Sequence, residues 1–198
     1  MIVQFIRRSF FAVSLMLFVW LLPSAVAQQQ AESPKATRVT LGSSSGTPGT
    51  SVVVPIYFTP LEGVEVGSLK LTVDFVSKNL KYSKMDPGIA AEMGKVDLNT
   101  EKKEGKNEQD LETTTLTITA SFLTPEPPDK GIPSGLLGYL TLKINDDAIA
   151  ASINLKAAVE AAELKTNKPI ENLQATSATV DVLAAGTEPL VTCFIFSH

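Results

Sequence analysis

The sequence is poor in the residues that most enzymes use. It has one histidine, His198, the last residue, and one cysteine, Cys193. A Ser-His-Asp or Cys-His arrangement needs a histidine held between nucleophile and orienting acid, and a chain terminus rarely supplies that rigidity. Zinc or iron sites built from His and Cys are excluded by count. A lone thiol forms no internal disulfide, so stability must come from packing. No glycine motif that cradles phosphate stands before a helix. Basic charge is also short: 17 Lys and Arg against 21 Asp and Glu leave a formal charge of −4. Such a balance argues against nucleic acid and against anionic membrane surfaces. These absences point to a protein that is not an enzyme and needs no cofactor. Asp74, Asp86, Asp97 and Asp129 could in principle pair for glycoside hydrolysis, but acids are common on soluble surfaces.

Aromatics are scarce too. The one tryptophan, Trp20, lies in an N-terminal stretch with the marks of a secretory signal. Arg7 and Arg8 form a positive start, Ser9 to Leu22 an apolar run of 14, and Ala25-Val26-Ala27 a small-residue cleavage site. A membrane-spanning helix would want about 20 apolar residues. Residues 1–27 therefore read as a signal peptide, which places the mature chain outside the cytoplasm, secreted or periplasmic. Cleavage removes two positive charges and no negative ones, taking the charge from −4 to −6. Residues 28–36 read as a flexible polar leader, 37–184 as one domain and 185–198 as a tail with an unexplained apolar stretch, Leu190 to Phe196.

What is present is alternation with period two. In Val66 to Phe75, Leu69, Leu71, Val73 and Phe75 fall on one face, and Ser68, Lys70, Thr72 and Asp74 on the other. Thr113 to Phe122 repeats the pattern, with Leu116, Ile118, Ala120 and Phe122 inward and Thr115, Thr117, Thr119 and Ser121 outward. Gly135 to Asn145 places Leu140, Leu142 and Ile144 together. Ser51 to Phe58 is a further strand, which Pro55 predicts to be an edge or bulged one. Asn79 to Met85 reads as a short strand and Ala175 to Leu183 as the last one. Gly42 to Gly49 reads as a turn, and Thr124 to Ser134, with four prolines, as a stiff loop. Lys95 to Glu112 has 10 charged residues in 18 and reads as a solvated loop or hairpin. Leu155 to Leu164 is alanine-rich and could be helical on propensity, yet its neighbours favour strand. Asn145-Asp146-Asp147 fits a strand-ending turn better than a calcium site. Short strands at this spacing predict an all-β sandwich or barrel.

The order of features resembles the cohesin domain family. The residues that carry the resemblance are Val39-Thr40-Leu41-Gly42, then Gly46-Thr47-Pro48-Gly49 leading to Val52-Val53-Val54-Pro55. Gly67 to Phe75 with Asn79-Leu80 follows, then Asp86-Pro87-Gly88, then Ser134 to Ile144. The chain departs from the family's usual tyrosine-aspartate pair, having Val73-Asp74-Phe75 there. The resemblance implies a two-sheet jelly-roll β-sandwich of about nine strands. It also implies a non-catalytic module that docks a dockerin-type protein, a small helical module that carries its own calcium. No D-x-[DN]-x-[DN]-G loop occurs in the chain, so it is not itself a dockerin. The candidate partner-binding face is Ser68, Lys70, Thr72 and Asp74 with Thr115, Thr117, Thr119 and Ser121. Two other readings stay open: a structural module of a cell-surface assembly, and direct polysaccharide binding. Sugar platforms use exposed aromatic rings, and the mature chain has only Tyr57, Tyr82 and Tyr139 to offer.

Overall fold

A computed structural model describes residues 35–124, 128–184 and 186–187. Residues 1–27, read as a signal peptide, most of 28–36, read as a leader, Cys193, His198 and the apolar stretch 190–196 lie outside the described residues. Eleven strands and one short helix follow in order: β1 Thr37–Leu41, β2 Ser44–Gly46, β3 Ser51–Thr59, β4 Val66–Val76, β5 Leu80–Pro87, α1 Ile89–Gly94, β6 Val96–Lys106, β7 Glu112–Phe122, β8 Gly135–Ile144, β9 Ala151–Glu163, β10 Leu173–Thr176 and β11 Ala178–Val182. They form two sheets, a five-stranded one ordered β10-β1-β3-β8-β5 and a six-stranded one ordered β2-β11-β9-β4-β7-β6. Of the all-β sandwich or barrel expected from the alternation, the sandwich is what forms.

The core lies between the sheets. Leu69, Leu71, Val73 and Phe75 of β4 and Leu116, Ile118 and Ala120 of β7 meet Val54, Ile56 and Phe58 of β3 and Leu140, Leu142 and Ile144 of β8, all buried. Each strand gives one face to this layer, because successive side chains point to opposite sides. The proline-rich loop also reaches inward. Ile132 is buried, its N–H donates to the Val66 carbonyl at 2.8 Å, and Gly131 packs its bare Cα against the Val66 backbone.

The described residues form eleven strands, where the resemblance implies about nine, and two short strands lie where the alternation shows none. Ser44–Gly46, read as part of a turn, pairs in parallel with β11. The turn proper is Thr47-Pro48-Gly49-Thr50, with Gly49 at φ 83° and Thr50 N–H donating to the Thr47 carbonyl at 3.1 Å. That is proline and glycine in the order a type II turn requires. The final segment, read as one strand, breaks at Ser177. Residues before it pair in parallel with β1 in one sheet, and residues after it pair with β9 and β2 in the other. The Ser177 hydroxyl accepts the Ala157 N–H at 3.0 Å where the chain crosses.

Two further readings are refined. Leu155 to Leu164 is mostly strand, within β9, whose Ile153, Leu155, Ala157, Val159 and Ala161 face the core. The charge-dense stretch is one arm of the β6–β7 hairpin, paired from Val96↔Phe122 to Lys106↔Glu112. It looks like a loop in sequence because β6 is an edge strand whose far half is solvated on both sides, and charge there blocks pairing with other chains. Helix α1 carried no periodic signal at six residues; it buries Ala90 and Ala91 and ends on Lys95 at φ 53°.

Pro55 does not mark an edge. Strand β3 is central, between β1 and β8, and its ladder with β8 shifts register just past the proline, between Ile56 and Tyr57. A central strand tolerates the missing N–H because β1 ends opposite it: Leu41 pairs with Ile56, and Gly42 N–H then donates to the Pro55 carbonyl at 2.8 Å. Gly42 is required by the ring. A Cβ there would lie 2.6 Å from Pro55 Cγ, and a pyrrolidine cannot rotate away. Gly42→Ala should therefore destabilise the domain by about 1–3 kcal/mol, read as a lower urea midpoint with an unchanged slope.

Candidate functional site

The eight residues singled out in sequence fall on one surface. Strands β4 and β7 are neighbours in the six-stranded sheet, and their register sets Lys70 opposite Thr119, Thr72 opposite Thr117 and Asp74 opposite Thr115. With the apolar faces of both strands in the core, these side chains stand outward together with Ser68 and Ser121. The Thr115 hydroxyl donates to Asp74 Oδ1, which holds that carboxylate against the sheet. Lys70 Nζ lies 3.2 Å from Glu160 Oε2 on β9. Both side chains are solvent-exposed, so this pair adds little stability.

The surface is wider than the two strands that alternation revealed. Strand β9 adds Lys156, Ala158 and Glu160 opposite Asp74, Thr72 and Lys70. Strand β6 adds Asn99, Glu101 and Lys103 opposite Thr119, Thr117 and Thr115. Sequence reasoning missed both flanks. Alanines masked β9 and charges masked β6, although Ser152, Asn154, Lys156, Ala158 and Glu160 alternate with the apolar set as a strand should.

Small side chains occupy the middle of three strands. The central row runs Ala158–Thr72–Thr117 and ends on the charged Glu101 of β6, with charged residues on the rows to either side. Four adjacent strands span about 19 Å, and 11-residue strands such as β4 run about 36 Å. That is a broad four-strand surface. At one end the β4–β9 ladder stops after Asp74↔Lys156. There a cleft of about 600 Å³ opens, lined among others by Asp74, Lys156, Asn154, Asn107 and Leu111. Leu111, in the β6–β7 turn, is exposed at its mouth. On the other side of β6, Lys102 Nζ donates to Glu104 at 2.9 Å, and this hydrogen bond, reinforced by the charge of Lys102, holds the Glu104 carboxyl below its ordinary range.

Among the described residues no three His, Cys, Asp or Glu side chains gather to hold a metal ion. Asn145-Asp146-Asp147 forms a turn, with Ala148 N–H donating to the Asn145 carbonyl at 3.1 Å. Asn145 Nδ2 donates to the Lys78 carbonyl at 2.7 Å, so its amide serves the turn. Among the described residues no helix is long and apolar enough to cross a membrane.

Solved structures with this architecture are cohesins of low sequence identity. The third ScaC cohesin of Acetivibrio cellulolyticus, solved in complex with the ScaB dockerin, superposes with a TM-score of 0.56 at 20% identity, over 75% of this chain and 99% of that one. The seventh ScaB type I cohesin of Pseudobacteroides cellulosolvens gives 0.56 at 17% identity, over 81% and 99%. A non-cellulosomal cohesin from the archaeon Archaeoglobus fulgidus gives 0.53 at 14%, over 75% and 91%. At these identities the likeness is one of fold. Comparison with curated protein sequences returned no match. The sequence model of the Cohesin domain, however, matches residues 37–182, from the first residue of β1 to the last of β11, and the chain belongs to the cohesin domain family.

Proposed function

We propose that this chain is an exported, non-catalytic docking module that binds a dockerin-type protein on the outer face of β9, β4, β7 and β6. The observation that carries the reading is the run of short side chains Ala158–Thr72–Thr117 across three neighbouring strands, bounded by Glu101 on the edge strand β6. A rigid helical partner can lie on such a surface without first displacing anything. The area agrees: a rectangle of about 36 by 19 Å approaches the ~800 Å² per partner of a standard interface. Family membership and the dockerin complexes among structural neighbours support the same partner class. The partner would bring its own calcium, and this chain needs no cofactor.

In this arrangement the central threonines act as close-packing contacts. Lys70–Glu160 and Asp74 with Thr115 set the polar frame that selects register and orientation. The cleft beside Asp74 and Lys156 would take a side chain projecting from the end of the partner helix. Titration calorimetry of residues 28–198 against dockerin domains from the same secreted fraction tests the reading. Saturable binding at micromolar affinity or tighter is expected. Absence of binding to every such domain would leave a structural module of a surface assembly as the better account.

Export is a separate expectation, motivated by Ala25-Val26-Ala27 behind the apolar run. Intact-mass measurement of the exported protein should show Gln28 as the first residue. A mature form retaining Arg7 and Arg8 would contradict it.

A further inference from the structure

The opposite surface of the sandwich carries a different chemistry. On the outer face of the five-stranded sheet, Tyr57 and Tyr139 are 47% and 37% exposed. Tyr139 stands directly opposite Pro55, and Tyr57 lies two residues further along β3. Val53, 46% exposed, extends the apolar strip the other way. Thus two of the chain's three tyrosines, which their scarcity made unpromising in sequence, stand side by side in solvent.

Charge separates the two faces. Outward strand positions of the five-stranded sheet carry Arg38, Lys81, Lys84 and Lys143 against a single carboxylate, Asp86, which pairs with Lys84 at 2.8 Å. On the six-stranded sheet the outward positions hold three cations, Lys70, Lys103 and Lys156, against five carboxylates, Asp74, Asp97, Glu101, Glu160 and Asp181. A chain of net charge −4 thus keeps one basic face. Within it Lys81 and Lys143 are placed directly opposite each other across the β5–β8 ladder. Like charges in that position destabilise a sheet. Asp146, in the turn beyond β8, approaches Lys143 only to 4.0 Å, and its side chain is largely solvated.

We propose that this face binds an acidic polysaccharide of uronate type, independently of the docking face. Tyr139 and Tyr57 would stack on pyranose rings, leaving their hydroxyls wet. Lys81 and Lys143 would meet the carboxylates of sugars further along the same chain, while Lys84 is held by Asp86. Tyr139 and Lys143 are four residues apart on β8, about 13 Å, so one extended glycan can reach both. Charge complementarity favours an anion over a neutral glycan. A strip with so few lysines falls short of the continuous cationic groove that tracks a nucleic-acid backbone. Export, as proposed above, would bring the module to where such polymers occur.

The test is affinity electrophoresis and calorimetry of residues 28–198 with polygalacturonate, beside xylan, single-stranded DNA and phosphatidylglycerol vesicles. Polygalacturonate should bind and weaken with added salt. Tyr139→Ala should lower affinity by up to about tenfold. Lys81→Gln should lower it too and flatten the salt dependence, while leaving the melting temperature unchanged or raised, because the opposed lysine is gone. Thr72→Arg, on the other face, should leave glycan binding intact whether or not a dockerin binds. Equal retention on neutral xylan, tighter binding to vesicles or DNA, or no effect of Tyr139→Ala would overturn the proposal.

Discussion

Thr72→Arg should weaken capture of a dockerin-type partner by on the order of a hundredfold, with little change in the stability of the domain. Thr72 sits at the middle of the proposed face, between Ala158 on one side and Thr117 on the other. Neither neighbour rises far from the sheet, so a long guanidinium there would stand above a plane that the partner must touch. Its charge would also have to be desolvated without an assigned carboxylate. Lys106→Glu makes the comparison. Lys106 lies at the far end of β6, paired with Asp110 at 2.7 Å in solvent. A rim charge of that kind should change association rate and salt sensitivity more than affinity. Calorimetry on both variants, with circular dichroism to confirm the fold, decides the matter. If Lys106→Glu proved as damaging as Thr72→Arg, the face would have been misplaced.

The largest expected effect on stability is at Phe58. It is fully buried, on the core side of β3, where Val39 of β1 and Gly135 of β8 flank it in the ladder. Phe58→Ala removes most of an aromatic side chain from a packed interior and should cost about 3–5 kcal/mol. Whole domains are stable by only about 5–15 kcal/mol, so the variant should melt far lower or fail to fold at physiological temperature. No internal disulfide is there to compensate. Val53→Ala, on the same strand but facing solvent, should shift the urea midpoint only slightly. A small loss at Phe58 would mean that the two sheets do not share one close-packed layer.

The faces of the long strands were legible from residue order alone. Leu69 to Phe75, Leu116 to Ala120 and Leu140 to Ile144 show their inner and outer sides because strand geometry has a period of two and only one side is buried. The candidate docking residues on β4 and β7 followed from the same alternation. The argument against catalysis was legible as well, but from a count of histidines and cysteines. Where local pattern was weak, the reading blurred. Strand β6 is charged on both sides because it is a solvated edge, β9 uses alanine where other strands use leucine, and β2, β10 and α1 are too short to show a period.

Pairing between distant segments was decided only by the tertiary structure. The parallel contacts of β1 with β10 and β2 with β11 join residues more than a hundred positions apart, and nothing local encodes them. Such contacts arise because the sandwich must bury both apolar faces at once. The break at Ser177, which sends one segment to both sheets, follows from the same need. Pro55 reads as the mark of an edge or bulged strand, and only the fold decides for a central strand with a register shift beside the proline. The third dimension also put Tyr57 beside Tyr139 and set Lys81 against Lys143, from segments widely separated in the chain. Composition and alternation therefore determine which side of each strand is wet, whereas only packing of the whole chain determines which wet sides become one surface.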